Sequence, residues 1–330
     1  MKNTQRTRLR AAVTLAFAAF LGGCRMTVLD PKGQVGADEK TLIIVATLLM
    51  LLVVLPVIGM TLYFAWKYRA SNTQATYAPN WSHSNRIEAA VWGVPCAIIL
   101  VLAVITWKTS HSLDPFKPLD VAEGAAAGPK PIEVEVVALD WKWLFIYPEQ
   151  HVASVNELAF PAGTPVHFKI TSDSVMNAFF IPQLGSQVYA MAGMQTHVNL
   201  VADTPGAYQG MSANFSGPGF SDMKFTAKVT SQADFDAWVK AAQASRRPLS
   251  FDAYNELSKP SEKAGVAYYG SVEPVLYATV LDKYMDKTSG QTLAQKLCLP
   301  TKQTVAQSTP ARNAVAINAT SRTAAPAATE

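Results

Sequence analysis

Charge is what this sequence has least of. Only 16% of its 330 residues are Asp, Glu, Lys or Arg, against about 25% in an ordinary soluble chain, while 49% are hydrophobic. A wholly water-exposed protein is excluded, and part of the chain belongs in lipid. A charge imbalance is missing as well. The 28 basic and 24 acidic residues leave a formal +4, but Lys2, Arg6, Arg8 and Arg10 all fall in the first 23 residues, which hold no acid. Removing those four leaves 24 against 24, so nothing here calls for nucleic acid or an acidic substrate. Cysteine is equally sparse: Cys24, Cys96 and Cys298 are the only three. They sit near the N-terminus, inside an apolar run and near the C-terminus, so no disulfide framework can staple a domain between them. Any folded domain must rely on its own core, and Cys298 has no assigned role beyond that of a structural thiol.

What the sequence does have is apolar runs of graded length. Residues 1–23 read as an export signal: a basic start, then an apolar stretch too short to span a bilayer. It ends in Leu21-Gly22-Gly23-Cys24, a Leu-small-small-Cys tetrapeptide that resembles the bacterial lipobox, which predicts lipid modification of Cys24. The alternative is an ordinary cleaved signal with an incidental cysteine. Residues 41–66 are uncharged throughout, about 39 Å as a helix, and exceed the hydrocarbon thickness of about 30 Å. Pro56 marks a place for a kink. Residues 89–107 form a second uncharged stretch with Trp92 and Trp107 near its ends, where amphipathic rings favour the interface. Between the two runs lie Lys67, Arg69 and Arg86 with no acid before Glu88. The positive-inside rule therefore puts the loop in the cytoplasm and both the N-terminus and everything after residue 107 outside. The expected location is a bacterial inner membrane, with 24–40 a lipidated segment and 41–107 a transmembrane hairpin.

Residues 108–130, rich in Pro, Gly and Ala, read as an unpacked linker. Strand-like alternation follows at 132–137, 141–147, 152–160, 166–171, 198–202 and 224–229, broken by turn residues. A small all-β sandwich over 131–230 is expected. At 231–290 the pattern turns helical, with Asp234, Phe235, Trp238, Val239 and Ala242 at helical spacing and Ser231 or Thr230 as cap. Residues 301–330 hold almost no large apolar side chain, and 291–330 read as a disordered tail. On the strand at 141–147, Trp141, Trp143, Phe145 and Tyr147 share one face and Asp140, Lys142, Leu144 and Ile146 the other. The aromatic face reads as packing, with a partner-docking patch as the alternative. Met176, Met191, Met194, Met211 and Met223, with His151, His167 and His197, supply soft donors. The methionines read as gap-fillers, and His167 and His197 as isolated strand residues without a second ligand nearby. Asn85 and Glu88 have the spacing of a capping box at the start of the second run.

The segments Asn80-Trp81-Ser82-His83-Ser84-Asn85-Arg86-Ile87-Glu88, Asp140-Trp141-Lys142-Trp143, Ser174-Val175-Met176-Asn177-Ala178-Phe179-Phe180-Ile181-Pro182 and Ser216-Gly217-Pro218-Gly219-Phe220-Ser221-Asp222-Met223 resemble subunit II of the haem-copper terminal oxidases. Within that family they look most like the ubiquinol-oxidising, cytochrome bo-type branch. The resemblance covers roughly residues 20–290. It implies a cupredoxin-like Greek-key sandwich after the hairpin, then a short helical appendage. In copper-bearing members of the family, an upstream His and a Cys-x-x-x-Cys-x-x-x-His-x-x-Met loop hold a copper pair. The matching positions here are Asn177, Ser212, Ser216, Phe220 and Met223, with Asn214 where a backbone carbonyl ligates. One thioether cannot hold copper alone, so the resemblance implies a chain with no redox centre and no metal of its own. Haems and copper are expected in subunit I. Expected partners are subunit I, further membrane subunits, the lipid bilayer and quinol through the complex, with neither cytochrome c nor nucleic acid among them. Glu88 matches a family position that marks the entry of a proton path. Two rival classes remain: a copper-bearing cytochrome c oxidase subunit II, or a freestanding membrane lipoprotein.

Overall fold

The computed structural model describes residues 26–76, 78–117, 119 and 129–284. The signal 1–23, Cys24, Cys298 and the tail 291–330 lie outside the described residues, as do residues 118 and 120–128 of the expected linker. Two helices lead the chain, α1 (Gln34–Lys67) and α2 (Asn85–Ser112), both long and apolar enough to cross a membrane. At 34 residues α1 is about 51 Å long. It runs unbroken through Pro56 and reaches well beyond the uncharged run at its N-terminal end. Gly36 is the one buried residue of α1, and α2 has none. Helices apolar all round and bare in isolation have surfaces that only lipid or other membrane helices can cover.

The strands are β1 (Ile132–Leu139), β2 (Lys142–Tyr147), β3 (Val152–Val155), β4 (Glu157–Pro161), β5 (Val166–Ser172), β6 (Asn177–Phe180), β7 (Val188–Ala190), β8 (Thr196–Leu200), β9 (Gly206–Ser212) and β10 (Lys224–Thr230). After them come α3 (Gln232–Gln243), β11 (Pro248–Leu249), α4 (Phe251–Leu257), β12 (Ala267–Tyr269), β13 (Ser271–Val272) and α5 (Leu276–Asp282). Two sheets face each other: β12-β3-β2-β1-β5-β8 and β4-β10-β9-β6-β7. The pairs β1–β5 and β4–β10 are parallel. Between the sheets lies an aromatic core in which Trp143, Phe145, Phe168, Phe179 and Phe225 are all buried. Phe179 and Phe225 stack at 5.2 Å, and Trp143 meets Phe179 edge-on at 5.5 Å, geometries that ring quadrupoles favour.

Four expectations need correction. The stretch 152–160 is two strands, because Asn156 adopts φ 56 and passes the chain from one sheet to the other. The Asn156 carboxamide holds the crossing: Oδ1 accepts from Trp143 N at 2.9 Å and Nδ2 donates to Ala264 O at 2.7 Å. Strands β6, β7 and β9, which carry no clean alternation, were not expected. The linker does not start unpacked: α2 runs to Ser112, and Asn199 Nδ2 on β8 donates to Pro115 O and Lys117 O at 3.1 and 3.0 Å. The appendage, finally, is more than helical. Its β12 joins the six-stranded sheet beside β3, and its Leu249, Tyr254, Leu276, Tyr277, Val280 and Leu281 close a second core on the outer face of that sheet.

That second core explains β2, whose six residues are all buried. Trp143, Phe145 and Tyr147 enter the core between the sheets, while Leu144 and Ile146 enter the second. The alternation therefore separates two cores, as in sheets covered on both faces. Lys142 is buried on the appendage side, where its Nζ donates to Lys259 O at 2.7 Å and Ser261 Oγ at 2.6 Å.

Candidate functional site

The loops at one end of the neighbouring strands β6 and β9 of the five-stranded sheet bring most of the matched ligand positions together. Asn177 opens β6 and Ser212 closes β9, which the β6–β9 pairing sets side by side. Both are buried, and Ser212 Oγ lies 3.0 Å from Asn177 Oδ1. Asn177 Nδ2 donates to Val175 O at 3.1 Å. Asn214 Nδ2 donates to Met176 O at 3.1 Å, stitching the two loops. Ser216 Oγ sits 3.9 Å from Met223 Sδ, and Met223 is buried in the core, where its carbonyl accepts from Ser212 N at 3.1 Å. Phe220 stands apart, its ring edge-on to Phe215 at 5.6 Å. The donors offered to a cation here are amide, hydroxyl and one thioether, several already hydrogen-bonded to one another. They do not fit a copper pair, which needs thiolate bridges and imidazoles.

Trp141 caps the same loop. It lies outside β2 in a turn with φ 64, so it does not share the strand face expected for it. Its Nε1 donates to Ser216 O at 3.1 Å, and its ring lies on Gly219, where a Cβ would sit 2.5 Å from Trp141 Cδ2. Only glycine permits that approach.

At the other end of the molecule, Ser84 occupies the N-cap position of α2 and makes no side-chain cap bond. Asn85 is the first helical residue, so the expected Asn85–Glu88 capping box is not formed. Glu88 N bonds Ser84 O at 3.0 Å, and the Glu88 carboxylate turns to His83, with Oε1 3.4 Å from Nδ1. Both side chains are more than half exposed. His83 also contacts Asn85 Oδ1.

Comparison with known proteins now bears on this geometry. Residues 134–230 match the family model of the cytochrome c oxidase subunit II periplasmic domain, and 243–288 match the COX aromatic rich motif. The cytochrome bo(3) ubiquinol oxidase subunit 2 of Pseudomonas aeruginosa is 60% identical over 272 residues, 82% of this chain and 80% of that one. The ubiquinol oxidase subunit 2 of Acetobacter aceti is 55% identical over 296 residues, 88% of this chain and 95% of that one. The chain belongs to the ubiquinol oxidase subunit 2 family. A more distant relative, the quinol oxidase subunit 2 of Bacillus anthracis, is 37% identical over 258 residues, 77% of this chain and 86% of that one. The subunit is thus a membrane protein, two helices followed by a cupredoxin-like domain of the periplasmic type, within an oxidoreductase complex.

Two features of this subunit 2 escaped the sequence. His167 and His197, read as isolated, stack at 5.1 Å because β5 and β8 pair. His167 Nδ1 meets Asn199 Oδ1 at 2.7 Å, and Phe116 packs edge-on to His197 at 5.7 Å. Burial, then His167 and Lys169, push the His197 imidazole below its ordinary value. Among the described residues, no group of three or more His, Cys, Asp or Glu is placed to hold a metal. The second feature is Glu157, buried between the sandwich and α3, with Lys228 Nζ at 2.7 Å, Trp238 Nε1 at 2.9 Å and the Tyr268 hydroxyl as donors. Tyr268 and Trp238 lie 111 and 81 residues away in sequence, so no local motif announces the site.

Proposed function

We propose that the chain is the non-catalytic subunit II of a proton-pumping ubiquinol oxidase, which oxidises ubiquinol and reduces oxygen to water. One observation carries the reading: in a chain this close to ubiquinol oxidase subunits, amide, hydroxyl and phenyl groups hold the positions where copper-bearing relatives need imidazole and thiolate. Electrons from a soluble haem protein have no acceptor in this domain, so quinol delivers them within the membrane, to haems and copper in subunit I. The bare apolar helices are the surface on which subunit I and further membrane subunits pack. The sandwich covers the outer face of the complex, and a lipid on Cys24 tethers its N-terminus to the bilayer.

Glu88 serves as a proton-entry carboxylate at the cytoplasmic end of α2. Its exposure and its weak tie to His83 leave it open to bulk water. The test is purification of the assembled complex through a tag on this chain. Haem should co-purify, and oxygen uptake should follow ubiquinol. Uptake sustained by reduced cytochrome c alone, or a haem-free preparation, overturns the assignment. In the same complex, Glu88→Gln should slow ubiquinol-driven turnover severalfold, and undiminished turnover removes the proton-entry role.

A further inference from the structure

A crevice of about 600 Å³ opens where the two spanning helices meet the sandwich. Val35 and Leu42 of α1, Leu113 beyond α2, and Phe180, Val188 and Leu200 of the sandwich line it. Leu42 is the second residue of the uncharged run of α1, so the crevice sits at the outward edge of the hydrocarbon layer. Its rim is polar, with Glu39, Ser186 and Gln187 among the residues that line it. An apolar trough with a polar rim at this depth has the amphiphilic profile of a glyceryl ester and its hydrocarbon chain.

The start of the described chain is fixed at the mouth of this crevice. Val28, in a short 3-10 turn over Thr27–Leu29, contributes to its lining. The next residues are clamped to the sandwich: Lys32 N donates to Gln183 O at 2.7 Å, Gly36 N to Leu184 O at 3.0 Å, and Asp203 N to Lys32 O at 2.8 Å. Gly33 lies so close that an added Cβ would sit 2.1 Å from Val201 O. Cys24 precedes Val28 by four residues, a reach of at most about 14 Å. Any group on its sulfur is therefore confined near the opening at a high effective concentration.

We propose that the crevice seats one acyl chain of the lipid carried on Cys24, so that the anchor is packed against the protein rather than dissolved in the leaflet. The inference rests on the lipid modification of Cys24 proposed above. It converts the tether into a wedge between hairpin and sandwich, because burial of the hydrocarbon closes the apolar walls of both.

The test uses the assembled oxidase, expressed in cells fed a diazirine-bearing fatty acid, irradiated in the membrane and digested for mass spectrometry. Links from acylated Cys24 to residues 39–43 and 187–200 should exceed those to residues 52–62 of α1. Filling the crevice with Leu42→Trp or Val188→Trp should lower them severalfold at unchanged acylation. The proposal is overturned if acylated Cys24 links only to mid-membrane residues or to other subunits, or if bulk phospholipid labels the crevice instead. An intact mass without the diacylglyceryl group overturns it too, and separately identifies the lipid reading as the step that failed.

Discussion

Glu157, which is buried, and Glu135, which is half-buried, are two carboxylates whose surroundings pull in opposite directions. Burial alone would raise Glu157, but hydrogen bonds from Lys228, Tyr268 and Trp238 outweigh it and hold the carboxyl below its ordinary value. A carboxyl with a lower pKa folded than unfolded stabilises the fold above the unfolded value of 4.5, and that contribution is lost as pH falls through the folded value. Glu157→Gln should therefore cost about 1–3 kcal/mol at pH 7, and the difference should shrink below pH 4.5, as thermal unfolding across pH will report. Glu135 is the reverse case. Burial first, then Glu133, push it up to about 7 against the pull of Lys169. Its folded form keeps the proton more tightly than the unfolded chain, so its contribution is present below 4.5 and lost as pH rises through about 7. Glu135→Gln should stabilise the protein by about 1–2 kcal/mol at pH 8 and leave it unchanged at pH 4. A shift of the same sign for both variants at pH 8 would sink this account.

Single elements in this chain are decided by side chains that tie distant backbone together. Asn156 splits what reads as one strand into β3 and β4, and its left-handed backbone is stabilised by the bonds of its carboxamide to Trp143 and Ala264. Asn156→Ala should lose both bonds and bear a left-handed penalty, about 2–4 kcal/mol together. Asn156→Gly, relieved of the backbone term, should lose about 1–2 kcal/mol less. Urea midpoints of the two variants in one background measure the difference, and equal midpoints would mean the backbone conformation carries no strain. The same residue shows where the sequence stops being legible. Long apolar runs, the alternating strands β1, β2, β5 and β10, and the Ser231 cap of α3 could be read because each is a local pattern; the cap bond, Asp234 N to Ser231 Oγ at 3.2 Å, is a local one. Strand β9 could not, since Gly206-Ala207-Tyr208-Gln209-Gly210-Met211-Ser212 lacks a strand pattern. It is held by β10, where Phe225 lies across from Gly210 and fills the space a side chain would need. The matched ligand positions, Asn177 and the loop from Ser212 to Met223, were legible only through the family resemblance. The Trp141 cover, 75 residues upstream of Ser216, was not.

At the scale of the whole molecule, two sets of hydrogen bonds among the described residues, one near each helix, tie the spanning hairpin to the sandwich. The clamp at Lys32–Gly36 fastens the entry to α1 against Gln183, Leu184 and Asp203. Asn199 fastens the exit from α2 through Pro115 and Lys117. Two tethers between the same two parts act together, because breaking one leaves the other to hold the freed segment at high local concentration. Gly33→Val, which forces a side chain into the Val201 carbonyl, should raise amide hydrogen exchange at residues 181–185 and 201–203 while leaving 113–117 protected. Asn199→Ala should do the reverse. The double variant should expose both sites by more than the two single effects added, since neighbours sharing one docked state do not act independently. If the sandwich covers the partner subunits as proposed above, the double variant should also lower the yield of assembled oxidase, because the sandwich would no longer be held in that orientation. If Gly33→Val alone freed both segments, Asn199 would be a passive contact and the clamp on α1 the sole hinge between membrane and sandwich.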